Sequence, residues 1–283
     1  MDHIRKALER ARLEKASSAE DVGPGVAVAP QITGRPERSS QAARAATAPP
    51  ARIVYTRTRV FTPSAQLLES NRIMNPASAD PAAAAFRMLR TQVLQRMNAH
   101  DWRSLAIFSA SPNDGKTTTA INLALSLASD QHHTALLVDF DFKRPSLGAC
   151  IGLSPESGGD DVLTGNARIE DCLYHPEGFD RLVVLPARGP LRQSSEILAG
   201  PLCRALIAEL RARYPERFIV FDLPPVLTAD DALAFAPLVD CGLVVVAEGW
   251  TKRNDLVRTV ELLHDTPLVG TVLNRAAGSQ GSY

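Results

Sequence analysis

The sequence carries no excess charge of either sign, with 31 Lys and Arg against 31 Asp and Glu over 283 residues. A chain without a net basic footprint gives no sign of being a nucleic-acid binder. It also lacks any apolar run near the roughly 18 residues that a membrane-spanning helix needs. Its opening segment, MDHIRKALERARLEK, is charged and amphipathic, without the apolar core of a signal peptide. A cytoplasmic protein is therefore expected. Cysteine is scarce: Cys150, Cys172, Cys203 and Cys241 include no CxxC pair, which suits reduced thiols filling a core and assigns them neither metal nor redox work. With 45% apolar and 22% charged residues, collagen-like, wholly disordered and disulfide-scaffold classes are excluded.

Neutrality hides a partition. Residues 1–103 hold 16 basic and 9 acidic side chains, so the N-terminal part is positive and the remainder negative. Such a segment is either a solvated tail or a surface for anionic lipid or an acidic neighbour. Residues 1–16 read as a short amphipathic helix with Ile4, Leu8 and Ala11 on one face, too short to be stable alone. Residues 17–77 read as a mostly disordered linker: as far as Arg52 it is rich in Ala, Ser, Gly and Pro, with no aromatic and no helical or strand period. RIVYTRTRVF, residues 52–61, alternates weakly, as an extended segment lying on the body would.

Order is expected to resume at Asp80-Pro81, a cap and first-turn signal, before a helix whose buried stripe would be Phe86, Leu89, Val93 and Leu94. Thereafter short apolar runs such as SLAIFSA, TALLVDF, RLVVLPA, RFIVFDLPP and CGLVVVAEG alternate with helical stretches. Continuous apolar strands between helices belong to a sheet covered on both faces. The predicted fold is an α/β, doubly wound, mostly parallel sheet of the P-loop NTPase type over residues 78–275, followed by a tail, 276–283.

Three strand ends carry chemistry. SASPNDGKTTT follows a strand and opens a helix; Asp114, Gly115 and Thr118 belong to this phosphate loop, with Lys116 for the terminal phosphates and the Thr117 hydroxyl for Mg²⁺. The strict pattern has glycine where Ala110 stands. In ALLVDFDFKRP, Asp139 and Asp141 stand two residues apart, the spacing that points two carboxylates one way in an extended chain, toward a cation or a proton. The plainer alternative is a surface turn with Lys143 and Arg144 as partners. FIVFDLPP runs an apolar strand into Asp222, where a carboxylate holds Mg²⁺ directly or through water. Together the three are far more specific than any one, because strand carboxyl ends of an open α/β sheet share a crevice.

SASPNDGKTTTAINLA, LLVDFDFKRPSLG and FIVFDLPP resemble the Walker A, Walker A′ and Walker B motifs of the bacterial tyrosine kinases, the CpsD/CapB type of capsule and exopolysaccharide synthesis. AFRMLRTQ, SSEILAG and GTVLNRA support the resemblance between the motifs. It implies an ATP- and Mg²⁺-dependent autokinase that phosphorylates tail tyrosines in trans within a ring-like homo-oligomer. It also implies activation by a membrane chain-length-determinant (Wzz-like) protein, which would recruit the kinase to the inner face of the plasma membrane. Carried across, Lys116 binds phosphates, and Thr117 and Asp222, with Asp139, form the metal set. Asp139 or Asp141 helps deprotonate the attacking hydroxyl, and Asn274 sits beside the adenine.

Three departures stand out. Tyr283 is the only tyrosine of the tail, so it is either the autophosphorylation site or a frayed end. Ala84 replaces the glutamate of the family's Glu-x-x-Arg-x-x-Arg oligomerisation signature, although Arg87 and Arg90 remain. Lys143 stands where arginine is usual. Two other classes stay open: a ParA/MinD-like ATPase switch, against which Ser111 replaces that group's early lysine, and a non-phosphorylating nucleotide-binding regulator of the polysaccharide machinery.

Overall fold

The computed structural model describes residues 58–213 and 216–276. Its centre is an eight-stranded sheet, and the alternation of side chains along the strands explains why helices cover both faces. The strands are β1 (Arg59–Phe61), β2 (Ser104–Ser109), β3 (Thr134–Asp139), β4 (Tyr174–Pro176), β5 (Leu182–Leu185), β6 (Arg217–Asp222), β7 (Cys241–Ala247) and β8 (Leu268–Asn274). Ala106 and Phe108 of β2, Leu136 and Val138 of β3, and Ile219 and Phe221 of β6 point into one apolar layer. Their neighbours Leu105, Ile107, Ala135, Leu137, Phe218 and Val220 point into the other. Strands buried on both faces need no polar face, and their sequences read as unbroken apolar runs.

The spatial order is β1-β4-β5-β3-β6-β2-β7-β8, all neighbours parallel except β4 against β5. Nine α-helices connect the strands among the described residues: α1 (Ala65–Ser70), α2 (Pro81–Ala99), α3 (Lys116–Ala128), α4 (Leu147–Ile151), α5 (Gly159–Leu163), α6 (Ser194–Ala199), α7 (Pro201–Arg213), α8 (Asp231–Phe235) and α9 (Arg253–Leu262). The doubly wound, mostly parallel α/β architecture expected from the sequence is the one found. None of the described helices is long and apolar enough to cross a membrane, and all four cysteines are free thiols, three of them buried.

Asp80 caps α2 by accepting the Ala82 N–H at 2.7 Å, with Pro81 in the first turn. The buried line of that helix is Ala83, Val93 and Met97, whereas Phe86, Leu89 and Leu94 are half-buried. The larger difference lies upstream. Residues 58–77, expected to belong to a mostly disordered linker except for an extended segment over 52–61, dock on the body. Arg59–Phe61 pairs with Tyr174–Pro176 as an added parallel strand. Ile73 is buried in the core layer, with Phe61 and Leu68 packed against it. Asn122 of α3 fastens the segment by accepting the Met74 N–H at 2.8 Å and donating to the Arg72 carbonyl at 2.9 Å. A few apolar anchors and one amide suffice here, and beyond the weak alternation that ends at Phe61 they leave no periodic signal in the sequence. The expected helix over 1–16 and the stretch 17–57 lie outside the described residues, as do Tyr214 and residues 277–283.

Candidate active site

β3, β6 and β2 are adjacent at the centre of the sheet, so their carboxyl ends open onto one crevice. β2 ends at Ser109, and the chain turns through Ala110–Asp114 into α3. The turn needs left-handed backbone at Asn113 (φ 65°) and Gly115 (φ 94°). The φ of Gly115 favours glycine, and a Cβ there would lie 1.9 Å from the Asn274 Nδ2 and push that amide aside. Ala110 is not among the positive-φ positions, so the missing glycine of the strict pattern costs the backbone nothing. The first turn of α3 presents free N–H groups and the positive end of a 13-residue helix, the arrangement that binds phosphate.

A cleft of about 660 Å³ opens above this turn. Gly115, Lys116, Thr117 and Thr118 line it on one side, and Asp141 and Lys143 on the other. Beneath them Thr117 donates its hydroxyl hydrogen to Asp222 Oδ2 at 2.6 Å. The other carboxylate oxygen, Asp222 Oδ1, is buried and accepts no hydrogen bond from the described residues. Burial pushes the Asp222 carboxyl up to about 6, against the opposing pull of the Lys116 ammonium and the Thr117 hydroxyl. A hydroxyl and an orphaned carboxylate oxygen at the foot of a phosphate loop fit Mg²⁺, which takes one or two protein oxygens and fills its remaining positions with phosphate and water.

Asp139 stands beside Asp222 in strand register, but it does not line the cleft. Its carboxylate accepts the Asp141 N–H at 3.2 Å and the Leu147 N–H at 3.1 Å, and it is wholly buried. Burial, reinforced by the charge of Asp222, holds it well above the usual carboxylate range. β3 ends at Asp139, the Phe140 N–H still pairs with the Asp222 carbonyl at 2.9 Å, and of the two carboxylates only Asp141 lines the opening. Burial raises the Asp141 carboxyl as well, while the Arg144 N–H, 3.0 Å from its Oδ1, and the Lys116 charge pull it down.

Two other predicted residues make contacts within the protein. Asp114, placed in the phosphate loop, has both carboxylate oxygens engaged. One oxygen accepts the Ser111 N–H at 2.9 Å, and the other accepts the Thr251 hydroxyl at 2.9 Å. It shapes the loop and ties it to the segment after β7. Asn274, expected at the adenine, donates its amide to the Asp114 carbonyl at 2.9 Å, and the neighbouring Arg275 donates to the Asn113 carbonyl at 2.7 Å. The end of β8 thus braces the phosphate loop, and Arg275 reaches the cleft wall. Tyr283 lies outside the described residues.

Asp231, at the start of α8, is a site residue that sequence reasoning missed. It is wholly buried and sits 3.3 Å from the Lys143 Nζ. In the sequence the doublet Asp230-Asp231 reads as an ordinary helix start, and nothing local marks one of the two as buried against a lysine of the cleft.

No protein-family model matches the chain. The succinoglycan biosynthesis transport protein ExoP of Rhizobium meliloti is 34% identical over 218 residues, which are 72% of this chain but 26% of ExoP. The chain therefore spans about a quarter of that relative. The tyrosine-protein kinase YwqD of Bacillus subtilis is 29% identical over 67% of this chain and 79% of its own length. Among solved structures, the VpsO kinase domain superposes with a TM-score of 0.62 at 31% identity, covering 69% of this chain and 95% of that domain. Nearly the whole of that kinase domain is thus matched by about two thirds of this chain. The chain belongs to the bacterial tyrosine-kinase family.

Proposed function

We propose that this chain uses Mg²⁺-ATP to phosphorylate tyrosine, its own Tyr283 included, and so regulates polymerisation or export of an exopolysaccharide or capsule. The observation that carries the reading is the pairing of Thr117 with Asp222 at the foot of a glycine-turned phosphate loop, beside an orphaned carboxylate oxygen. Thr117 and Asp222 would hold Mg²⁺, which supplies charge neutralisation on the phosphates. Lys116 binds and orients the terminal phosphates from the loop side, with the helix end and the backbone of Gly115 and Thr118. Asp141, open to the cleft, takes the proton of the acceptor hydroxyl as the tyrosine oxygen bonds to the γ-phosphorus and the bond to the ADP oxygen breaks. Asp139, behind it, fixes the backbone on which Asp141 is carried.

The polysaccharide setting comes from the relatives: ExoP is named for succinoglycan transport, and other relatives are CpsD and CapB kinases. A membrane chain-length-determinant activator, a homo-oligomer built through α2, and recruitment to the cytoplasmic face of the membrane belong to this same proposal. The basic N-terminal segment is a second surface by which that membrane could be touched.

The deciding experiment incubates the full-length protein with Mg²⁺-ATP, with and without the cytosolic segment of a candidate membrane partner, and maps phosphotyrosine by peptide mass spectrometry. Phosphate on Tyr283 that vanishes in Lys116→Ala is the expected result. ATP hydrolysis with no phosphotyrosine anywhere would replace the kinase by a nucleotide switch.

A further inference from the structure

Asp231 is anomalous on energetic grounds. Its side chain has no solvent exposure, and neither carboxylate oxygen accepts a hydrogen bond from the described residues. A buried carboxylate in that condition is costly unless a cation stands against it. The cation is Lys143, whose Nζ lies 3.3 Å from Oδ1. The pair is asymmetric: the Lys143 side chain is 42% exposed and lines the cleft, whereas Asp231 is sealed beneath it. An ammonium has three donors, so those not turned to Asp231 remain for the cleft.

The topology says what those donors face. Lys143 follows Asp141 by two residues in the loop after β3, and Lys116 rises from the loop after β2. Between them runs β6, ending at Asp222. The two lysines therefore stand on opposite walls of the crevice, with the Thr117–Asp222 pair at its floor. Phosphates seated on the α3 end and held by Lys116 project their terminal group toward the wall that carries Asp141 and Lys143. A flexible lysine stem gives a poorly fixed point charge, and an anchoring carboxylate at its far side removes that freedom before the substrate arrives.

We propose that Asp231 is a positioning residue: its buried carboxylate anchors the Lys143 ammonium on the wall of the cleft, where that cation recognises the γ-phosphate and so distinguishes ATP from ADP. The inference rests on the nucleotide reading of the site. Without Asp231, Lys143 swings into solvent and the γ-phosphate loses one of its two flanking cations. Without Lys143, Asp231 has nothing left to position. The effects of removing either are accordingly the same effect, and they do not add.

The test is a double-mutant cycle on the full-length protein with Mg²⁺. Lys143→Met, Asp231→Asn and the double variant are titrated by calorimetry with ADP and with β,γ-imido-ATP, which cannot transfer its phosphate. The wild type should favour the imido analogue over ADP. Each single variant should lose about fivefold or more of that preference, with ADP affinity within twofold of wild type, which also certifies the fold. The double variant should be no worse than Lys143→Met alone. An unchanged preference in either single variant, multiplicative losses in the double variant, or a wild type without any preference would overturn the assignment. A parallel loss of ADP and analogue affinity in Asp231→Asn would also overturn it, since the carboxylate would then be supporting the fold. Phosphotyrosine formation by the wild type is scored separately. Its absence alongside an intact binding cycle would overturn the autokinase reading and leave the role of Asp231 standing.

Discussion

At the scale of single residues, the crevice concentrates like charge where the fold alone would avoid it. Asp139 and Asp222 are neighbours in register, both wholly buried, and their carboxyls are raised chiefly by burial. The sign of the consequence follows from linkage. Asp222 titrates at about 6 in the folded chain against 3.8 for an ordinary Asp, so folding takes up a proton between those values. The associated stability is fully present below pH ~4 and is lost as pH rises through about 6. Asp222→Asn removes the charge while keeping an acceptor for the Thr117 hydroxyl. The nucleotide-free variant should be more stable than wild type at pH 7.5, by about 1–3 kcal/mol, and its melting temperature should change less between pH 4.5 and 7.5. Its phosphotyrosine formation should fall by more than its affinity for nucleotide, because the lost group acts through the metal. Thermal melts across pH, with and without Mg²⁺-ADP, read both effects. A variant less stable than wild type at pH 7.5 would show that Asp222 serves the fold. Lys116→Ala belongs to the same scale: the lysine is 6% exposed and lines the cleft, and turnover should drop on the order of 10²–10³-fold. Unchanged turnover in that variant would remove the phosphate-loop assignment.

At the scale of elements, what was legible in the sequence is what local physics enforces. SLAIFS, TALLVD and RFIVFD announce themselves as strands because both faces are buried, and a strand that ends in Asp or a Gly-Lys turn marks the crevice. What was not legible depends on contacts between distant segments. Asn274 reaches back 160 residues to the Asp114 carbonyl, and no pattern near either residue foretells it. Arg59–Phe61 closes the weakly alternating RIVYTRTRVF read as an extended segment, but at three residues nothing in it named the strand it would join. Asp141 and Asp139 obey strand alternation on paper, but the chain leaves the strand between them. The Asn274 contact makes a prediction for the phosphate loop. Gly115→Ala would place a methyl on the Asn274 amide and force a residue with a Cβ into φ 94°. The backbone conformation alone costs about 1–2 kcal/mol, and the displaced amide frees the loop from its brace. Loss of nucleotide binding by at least an order of magnitude is expected in calorimetry, with circular dichroism unchanged. Asn274→Ala in the same background should add little further loss, since the contact is already broken. Full nucleotide affinity in Gly115→Ala would mean that the brace and the left-handed turn are dispensable.

At the scale of the whole molecule, the question is where the body begins. Composition places its start near residue 78, but Ile73 is buried, Phe61 and Leu68 pack on the same layer, and Asn122 holds the backbone at Arg72 and Met74. Burying one isoleucine contributes about 1.5–3 kcal/mol, and the two hydrogen bonds of Asn122 contribute roughly 1 kcal/mol each. Removing residues 1–77 should therefore cost about 3 kcal/mol or more, a fall of roughly 6–12 °C in melting temperature for a body of this size. The truncated body should also expose the apolar edge of the layer beneath α1, which invites self-association. Removing only residues 1–57 takes away a stretch whose sequence offers little apolar periodicity beyond its first turns and the weak alternation after Arg52, and the melting temperature should stay within about 2 °C of the full chain. Differential scanning calorimetry of the two truncations against the intact protein separates the cases. Equal melting temperatures for all three would place the boundary back at the composition shift and make the docking of residues 58–77 energetically idle. A fall already present in the shorter truncation would assign part of the body's stability to the basic N-terminal segment.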